Sequence, residues 1–198
     1  MNTPTFTEPR SPWVVVTQAD DPWVRAETSK LREKGGRVFR LNGHELRDPA
    51  SLFTAFAREL SFPDYFGGNW DALVDCLHDW HGDDEAQGVV VVIEHADDLL
   101  GAEFLGLFVS VLCQAAWNAN LQLDAEGAPH DNWPALALHF ALLLDHTPPS
   151  AFAEPAAQGM DVGVAMWEDR LTATLTGTDW PGSDPAVPVR SDPAVPVP

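Results

Sequence analysis

The chain has 198 residues, of which 45% are hydrophobic, and its formal net charge is −19. This composition supports a real apolar core, in one domain with additions or in two small domains. It excludes a membrane-spanning helix, since no apolar run approaches ~18 residues, and the first residues lack the pattern of a signal peptide, so we expect a cytoplasmic protein.

The distribution of charge along the chain limits the classes of macromolecule that the protein is expected to bind. No Lys or Arg occurs between Arg58 and Arg170, and residues 59–169 carry 20 Asp or Glu. Such a surface repels phosphate backbones, so nucleic-acid binding is not expected. It attracts a basic protein and accelerates the encounter with it. Plain solubility, or adaptation to high salt, is an alternative explanation of the same composition.

The first half of the chain predicts a strand, a helix and a second strand. Residues 1–11 are polar, contain two prolines and are predicted to be flexible. Residues 13–17 form a β-branched run typical of a strand buried on both faces. Asp20 or Asp21 then caps a helix that begins at Pro22 and ends near Lys34. Residues 37–41 predict the second strand, and this order implies a parallel unit.

Helices and strands continue to alternate along the chain. The predicted elements are a helix opened by Asp48 and Pro49 and running to Leu60, a helix over 70–80, a strand over 89–93, a short helix from Asp97 to Leu100, a helix over 104–118 and a strand over 136–144. Polar segments at 82–87 and 124–134 are predicted as a turn and a loop. Alternation of this kind predicts a small parallel α/β sheet of three to four strands, flanked by helices.

The C-terminal part is predicted to be an appendage. Residues 148–159 are rich in Pro and Ala and are interpreted as a linker, and residues 160–176 alternate weakly, as in a possible β-hairpin. Residues 183–190 and 191–198 form a proline-rich repeat, which predicts an extended tail. The two cysteines, Cys76 and Cys113, fall on predicted buried helix faces and are expected to be free thiols.

The stretch 62–80 (FPDYFGGNWDALVDCLHDW) carries the functional prediction. Asn69 occupies an N-cap position, and Asp71 follows in the first turn of the helix. Asp71, Asp75 and Asp79 recur every four residues, so they share a stripe apart from the apolar positions. Like charges at this spacing repel weakly, which suggests an external cation. The alternative is a solvated helix face.

This stretch resembles the barstar family of intracellular ribonuclease inhibitors. The matching pieces are Leu41-Asn42-Gly43, the helix from Leu52 to Leu60, Phe62-Pro63-Asp64-Tyr65-Phe66-Gly67, and Asn69-Trp70-Asp71-Ala72-Leu73 through Asp75-Cys76-Leu77 to Trp80. The resemblance is dense over residues 37–95 and looser to about residue 145. It implies a three-stranded parallel sheet flanked by helices, so the N-terminal strand and helix are an addition. The predicted organisation is therefore a flexible segment 1–11, a barstar-like domain 12–147, a linker and possible hairpin 148–180, and a tail 181–198.

The resemblance also implies a partner and a contact surface. It predicts a monomeric inhibitor of a basic ribonuclease or toxin nuclease, with no cofactor, no metal and no catalytic residue. The implied partner-binding residues are Tyr65, Gly67, Asn69, Asp71, Val74, Asp75 and Trp80. Four positions depart from the best-known member: Gly68 replaces an acid, Val74 replaces an aromatic residue, and Gln114 and Asn118 stand where that member carries acids.

Other functions stay open at this point. The same scaffold can serve as an immunity or binding protein for a basic partner that is not a ribonuclease. A small hydrolase or metal protein would rest on His78, His81 and Glu94. Glu94 and His95, with Asp97 and Asp98, stand at the carboxyl end of a strand as an acid/base pair would, although a helix-start acid cluster explains them equally. Trp70, Trp80, Trp117 and Trp133 are predicted to be core or half-buried residues.

Overall fold

A computed structural model describes residues 3–80, 86–121 and 135–180. The elements in these ranges are β1 (Val14–Gln18), α1 (Pro22–Glu33), β2 (Arg37–Asn42), α2 (Pro49–Leu60), α3 (Trp70–His78), β3 (Gly88–Glu94), α4 (Leu105–Leu121), β4 (Ala137–Leu144), α5 (Ala153–Ala157), β5 (Val162–Trp167) and β6 (Arg170–Leu175). Short 3-10 segments form at Gly43–Glu45, Ala96–Gly101 and Pro149–Phe152. Residues 82–85 of the turn predicted over 82–87, the loop at 124–134 with Trp133, and the tail lie outside the described residues.

The helices begin where capping side chains stand in the sequence. Asp21 accepts a hydrogen bond from the Trp23 N–H at the start of α1, and Asp48 accepts one from the Ser51 N–H at the start of α2. Each cap satisfies an N–H group that has no partner inside its helix. Prolines 22 and 49 follow these caps at the first helical position, where a missing N–H costs nothing.

The sheet has six strands in the order β2-β3-β4-β1-β6-β5. The first four are parallel, while β6 pairs with β1 and with β5 in antiparallel fashion. The predicted α/β class is confirmed, but the prediction of three to four parallel strands with a separate appendage is corrected, because the sheet is larger and mixed. Leu171 and Ala173 of β6 are buried in the main core, and this burial explains why the hairpin joins the sheet.

Two apolar layers cover the sheet. On one face, alternate strand residues such as Val89, Val91 and Ile93 pack with α2, α3 and α4 in the larger of two apolar clusters, which is the main core. On the other face, Val90 and Val92 pack in a smaller core with α1. Because both faces are covered, β3 and β4 are buried almost along their whole length, as their unbroken apolar sequences predict.

The N-terminal segment packs against the smaller core, although the sequence predicts a flexible region over 1–11. Phe6 is only 1% exposed and contacts the Trp23 ring edge to face. The buried Glu27 carboxylate accepts hydrogen bonds from the Phe6 N–H and the Thr5 hydroxyl. One aromatic anchor and one buried acceptor therefore hold a segment that is polar in composition.

Residues 148–159, interpreted from composition as a linker, contain structure instead. Phe152 ends the 3-10 turn and is completely buried, and Ala156 of α5 is buried beside it in the main core. Gly106 of α4 and Gly159 approach so closely that a Cβ on either glycine would meet the other's backbone. The prolines and alanines of this segment therefore belong to a closely packed region and not to an extended linker.

His139 gives the fold a pH dependence. Its ring is buried in β4, with Nε2 2.9 Å from the Glu8 carbonyl oxygen and Nδ1 3.2 Å from that of Pro12. Burial lowers the pKa of His139 to about 4. As the pH falls from about 6.5 toward 4, His139 becomes protonated in the unfolded chain but stays neutral in the folded chain. The free energy of unfolding therefore decreases. We expect the free energy of unfolding to fall by about 2 to 3 kcal/mol across this range.

Urea denaturation at several pH values measures this loss. The variant His139→Gln keeps a side-chain N–H donor and has no titration, so the difference between wild type and variant isolates the histidine. Parallel pH curves for the two proteins would show that His139 does not contribute.

Candidate functional site

The loop between α2 and α3 is anchored by two phenylalanines. Phe62 and Phe66 are half-buried, their rings meet at 5.1 Å, and Phe66 also packs on Phe53 of α2. The Phe66 N–H donates to the Pro63 carbonyl and closes the turn. Tyr65, between these anchors, is 82% exposed. The loop therefore holds a rigid aromatic side chain out into solvent.

Glycines complete this loop. Gly68 has φ +59°, a left-handed conformation that side chains rarely adopt, and a Cβ there would meet no neighbour. Gly67 lies against the Asn69 side-chain amide, which a Cβ would approach to 3.1 Å. Glycine at position 68 thus adopts the left-handed backbone without strain.

Asn69 fixes the start of α3, as predicted. Its Oδ1 accepts a hydrogen bond of 2.9 Å from the Ala72 N–H, which otherwise has no partner in the first turn. We expect Asn69→Ala to lower the free energy of unfolding by about 1 kcal/mol, because this cap is lost. Asn69→Ser restores a capping oxygen and serves as the control in thermal or urea unfolding. Equal stability of the alanine and serine variants would contradict a capping role.

The acidic stripe of α3 faces solvent. Leu73, Cys76 and Leu77 are buried, whereas Asp71 and Asp75 are exposed. Neither carboxylate has an ion-pair partner among the residues that the structure describes. Consecutive members of the stripe lie roughly 6 Å apart along the helix axis. The helix thus presents two uncompensated negative charges next to the exposed Tyr65.

Asp79, the third member of the stripe, differs from the other two. Its carboxylate lies 2.9 Å from His78 Nε2, so part of its charge is engaged locally. Cys76 lies beneath it, and burial followed by the charges of Asp75 and Asp79 raises the pKa of this thiol. Cys76 therefore stays protonated and inert, in agreement with the prediction of a buried free cysteine.

Trp80 closes a groove beside the stripe. Its Nε1 donates to the Leu60 carbonyl at 2.9 Å, and its ring meets Phe39 of β2 edge to face. The groove has a volume of about 290 Å³ and is lined by Tyr65, Asp75, Asp79 and Trp80, among others. An aromatic floor with a carboxylate rim suits a cationic side chain.

Val74, a predicted contact residue, and Gln114, one of the departures from the best-known member, have other surroundings. Val74 is half-buried against the main core, so it offers only part of its side chain to solvent. Gln114 of α4 donates to the Ser110 hydroxyl, which in turn donates to the Met160 carbonyl. The amide at position 114 therefore supports the junction of α4 with the C-terminal segment. Trp70 and Trp117 are half-buried, as predicted.

The acid/base hypothesis for the end of β3 gains no support from the geometry. Glu94 pairs with Arg40, His95 with Asp145, and Asp98 with His44. Asp97 accepts hydrogen bonds from the backbone N–H groups of residues 145, 146 and 147. Burial alone would raise the pKa of Asp97, but these bonds outweigh it and hold the pKa far below its usual range. These side chains join two loops.

One aromatic pair at this place has no signal in the sequence. The rings of His44 and His95 stack at 5.0 Å. No local pattern relates residues so distant in sequence, and only the pairing of β2 with β3 brings them together. Within the described ranges no group of three or more His, Cys, Asp or Glu is placed to hold a metal, and His81 lies outside them. None of the described helices is long and apolar enough to cross a membrane.

A comparison with protein families agrees with this geometry. The family model described as Barstar (barnase inhibitor) matches residues 36–125, from the start of β2 through α4. The resemblance predicted from the sequence is thereby confirmed, and the chain carries a barstar-family segment that contains the Tyr65 loop and α3. The description of this family is that of an inhibitor of barnase, and the matched residues make up less than half of the chain. β1, α1 and the β5–β6 hairpin lie outside the matched residues.

Proposed function

We propose that this protein inhibits a basic ribonuclease by covering its active site. The contact face consists of Tyr65, Gly67, Asn69, Asp71, Val74, Asp75 and Trp80. The observation that carries the proposal is the exposure of Asp71 and Asp75, which have no ion-pair partner among the described residues and stand beside the exposed Tyr65. An enzyme that binds RNA offers arginine, lysine and histidine side chains, and each is a partner for these carboxylates.

The chemistry of the contact face supports mimicry of RNA. Asp71 and Asp75 would stand where the substrate's phosphates bind, while Tyr65 packs into the groove that receives a base. Rigid aromatic side chains next to charges are the residues that carry most binding energy at interfaces. The anchored loop and the capped helix hold these groups in place before the partner arrives, so little conformational entropy is lost on binding.

Charge over the whole chain supports rapid association. The 20 acidic residues of 59–169 face no Lys or Arg in the same range. A basic enzyme is therefore attracted from a distance, and the association rate should decrease as salt rises. Because Gly68 stands where the best-known member of the family carries an acid, Asp71 and Asp75 carry a larger share of the contact charge.

The direct test is RNA cleavage by barnase and other basic microbial ribonucleases in the presence of the purified chain. We expect one enzyme to lose activity in proportion to added protein, with association that slows at higher salt. An inhibited ribonuclease whose association rate is independent of salt would contradict electrostatic attraction. If none of these ribonucleases is inhibited, and the immobilised chain instead binds a basic protein without ribonuclease activity, the alternative of a non-ribonuclease partner is favoured.

A further inference from the structure

A second groove lies on the face of the sheet opposite α3. It has a volume of about 370 Å³ and is bounded by α1 and by residues near the carboxyl ends of β2, β3 and β4. α1 has 12 residues, so it is about 18 Å long. It must cross from β1 to β2 over two intervening strands, a lateral distance of about 14 Å. The helix therefore runs obliquely and leaves this corner of the sheet uncovered.

The position of the groove is one where α/β sheets bind ligands. The connection after β1 leaves toward α1, whereas the connection after its neighbour β4 leads to α5 on the other face. Where neighbouring connections leave on opposite faces, a crevice opens beyond the carboxyl ends of the strands. Glu94 and Asp145 stand at these ends and line the groove.

The charges in the groove contrast with the rest of the protein. The chain has 11 Lys and Arg, and three of them, Arg25, Arg32 and Arg40, line this one groove. The carboxylates there are already engaged: Glu94 pairs with Arg40, and Asp145 pairs with His95.

Asp21, the remaining acid of the groove, is bound by Arg170 and by the Thr17 hydroxyl. The guanidinium groups of Arg25 and Arg32 have no ion-pair or hydrogen-bond partner among the described residues. The lining thus holds three arginines and three carboxylates, so the groove lacks the negative excess of the whole chain, and its two α1 arginines have no carboxylate partner among the described residues.

Arg25, Ser29 and Arg32 form one stripe of α1 above the groove. Their spacing of four and three residues places them on the same side of the helix. Arg25 and Arg32 lie about 10 Å apart along the axis, and their long side chains can converge on a ligand with more than one charge. Guanidinium groups match phosphate oxygens in bidentate fashion, and the Ser29 hydroxyl adds a donor.

We propose that this groove binds a small molecule that carries linked phosphate groups. Arg25 and Arg32 contact the phosphates from α1, and Ser29 donates a further hydrogen bond, while Arg40 stays paired with Glu94. Arg25, Ser29 and Arg32 belong to α1, outside the residues that match the barstar family. The groove is thus a second site, distinct from the contact face.

Calorimetric titration of the full chain with pyrophosphate tests the assignment. We expect binding at low ionic strength, and we expect the double variant Arg25→Gln, Arg32→Gln to weaken it by about tenfold or more, because charged hydrogen bonds are lost. Lys34→Gln is the control. It removes one positive charge just beyond α1 but outside the groove, so it should change affinity by about twofold at most.

Citrate and NMR spectra separate a built site from general charge attraction. The amide signals of Thr28 and Ser29 should shift on addition of pyrophosphate, while those of α3 stay in place. Citrate carries similar charge and should bind more weakly. The proposal is overturned if pyrophosphate does not bind, if citrate binds as tightly, or if Lys34→Gln weakens binding as much as the double variant. Loss of ribonuclease inhibition plays no part in these outcomes.

Discussion

Asp75→Lys is expected to weaken binding to an inhibited ribonuclease by about 2 to 5 kcal/mol, a general range for buried interfacial charge pairs to which barnase and its inhibitor themselves contribute. Asp75 is exposed and lines the groove between Tyr65 and Trp80. In the proposed complex this carboxylate is buried against a cationic side chain. Lysine there replaces the attraction with repulsion and leaves the enzyme's cation without a partner, so most of the effect should appear in the dissociation rate.

The fold should survive this change. Asp75 has no ion-pair partner in the described part of the chain, and surface substitutions without such contacts usually alter stability by about 0.5 kcal/mol or less. Asp169→Lys is the matched control, because it makes the same charge change in the β5–β6 turn, away from the contact face. Stopped-flow association and dissociation rates measure the effect. Equal affinities of Asp75→Lys and wild type would remove α3 from the contact surface.

Phe152→Ala should lower the free energy of unfolding by about 3 to 5 kcal/mol, the usual loss when a buried phenylalanine is truncated. The side chain is fully buried in the main core, and its 3-10 turn packs against β6 and β1. The cavity left by alanine would lie between the hairpin and the rest of the sheet. This result would show that residues 148–175 contribute to the stability of the whole fold.

Met160→Ala provides the comparison, since Met160 is 75% exposed in the same segment. It should change stability by about 0.5 kcal/mol or less. Urea denaturation with fluorescence and circular dichroism measures both variants and shows whether unfolding occurs in one step. If Phe152→Ala were as stable as Met160→Ala, or if it removed only a separate early transition, the hairpin would be an independent unit.

Local features of the fold could be predicted because their causes lie within a few residues. The caps at Asp21, Asp48 and Asn69 identified three helix starts, since each side chain bonds an N–H two or three residues ahead. The apolar run of β3 predicted burial on both faces. The exposed side of α3 followed from helical spacing, so Asp71 and Asp75 were placed correctly on a solvent-facing stripe.

Features that depend on distant contacts could not be predicted in this way. Strand order is one such feature. The apolar sequence of β1 predicts that both of its faces are covered, but it does not predict that β4 and β6 are its neighbours. The packing of Phe6 and Phe152 is another, since single aromatic residues in polar or proline-rich segments carry no periodic signal. The groove of Arg25 and Arg40 likewise exists only because α1 crosses the sheet obliquely.

Arg170 fixes the hairpin to the rest of the molecule. Its guanidinium lies between the rings of Trp23 and Trp167, 5.2 and 4.8 Å from their centres, and bonds the carboxylate of Asp21. The turn just before Arg170, at residues 168–169, joins β5 and β6 at one edge of the sheet. Strand β2, on which Trp80 packs, forms the other edge. A reporter domain or fluorescent label inserted in this turn would therefore have room outside the proposed complex with a ribonuclease, which makes it a practical attachment point for following the protein in cells or on a sensor surface.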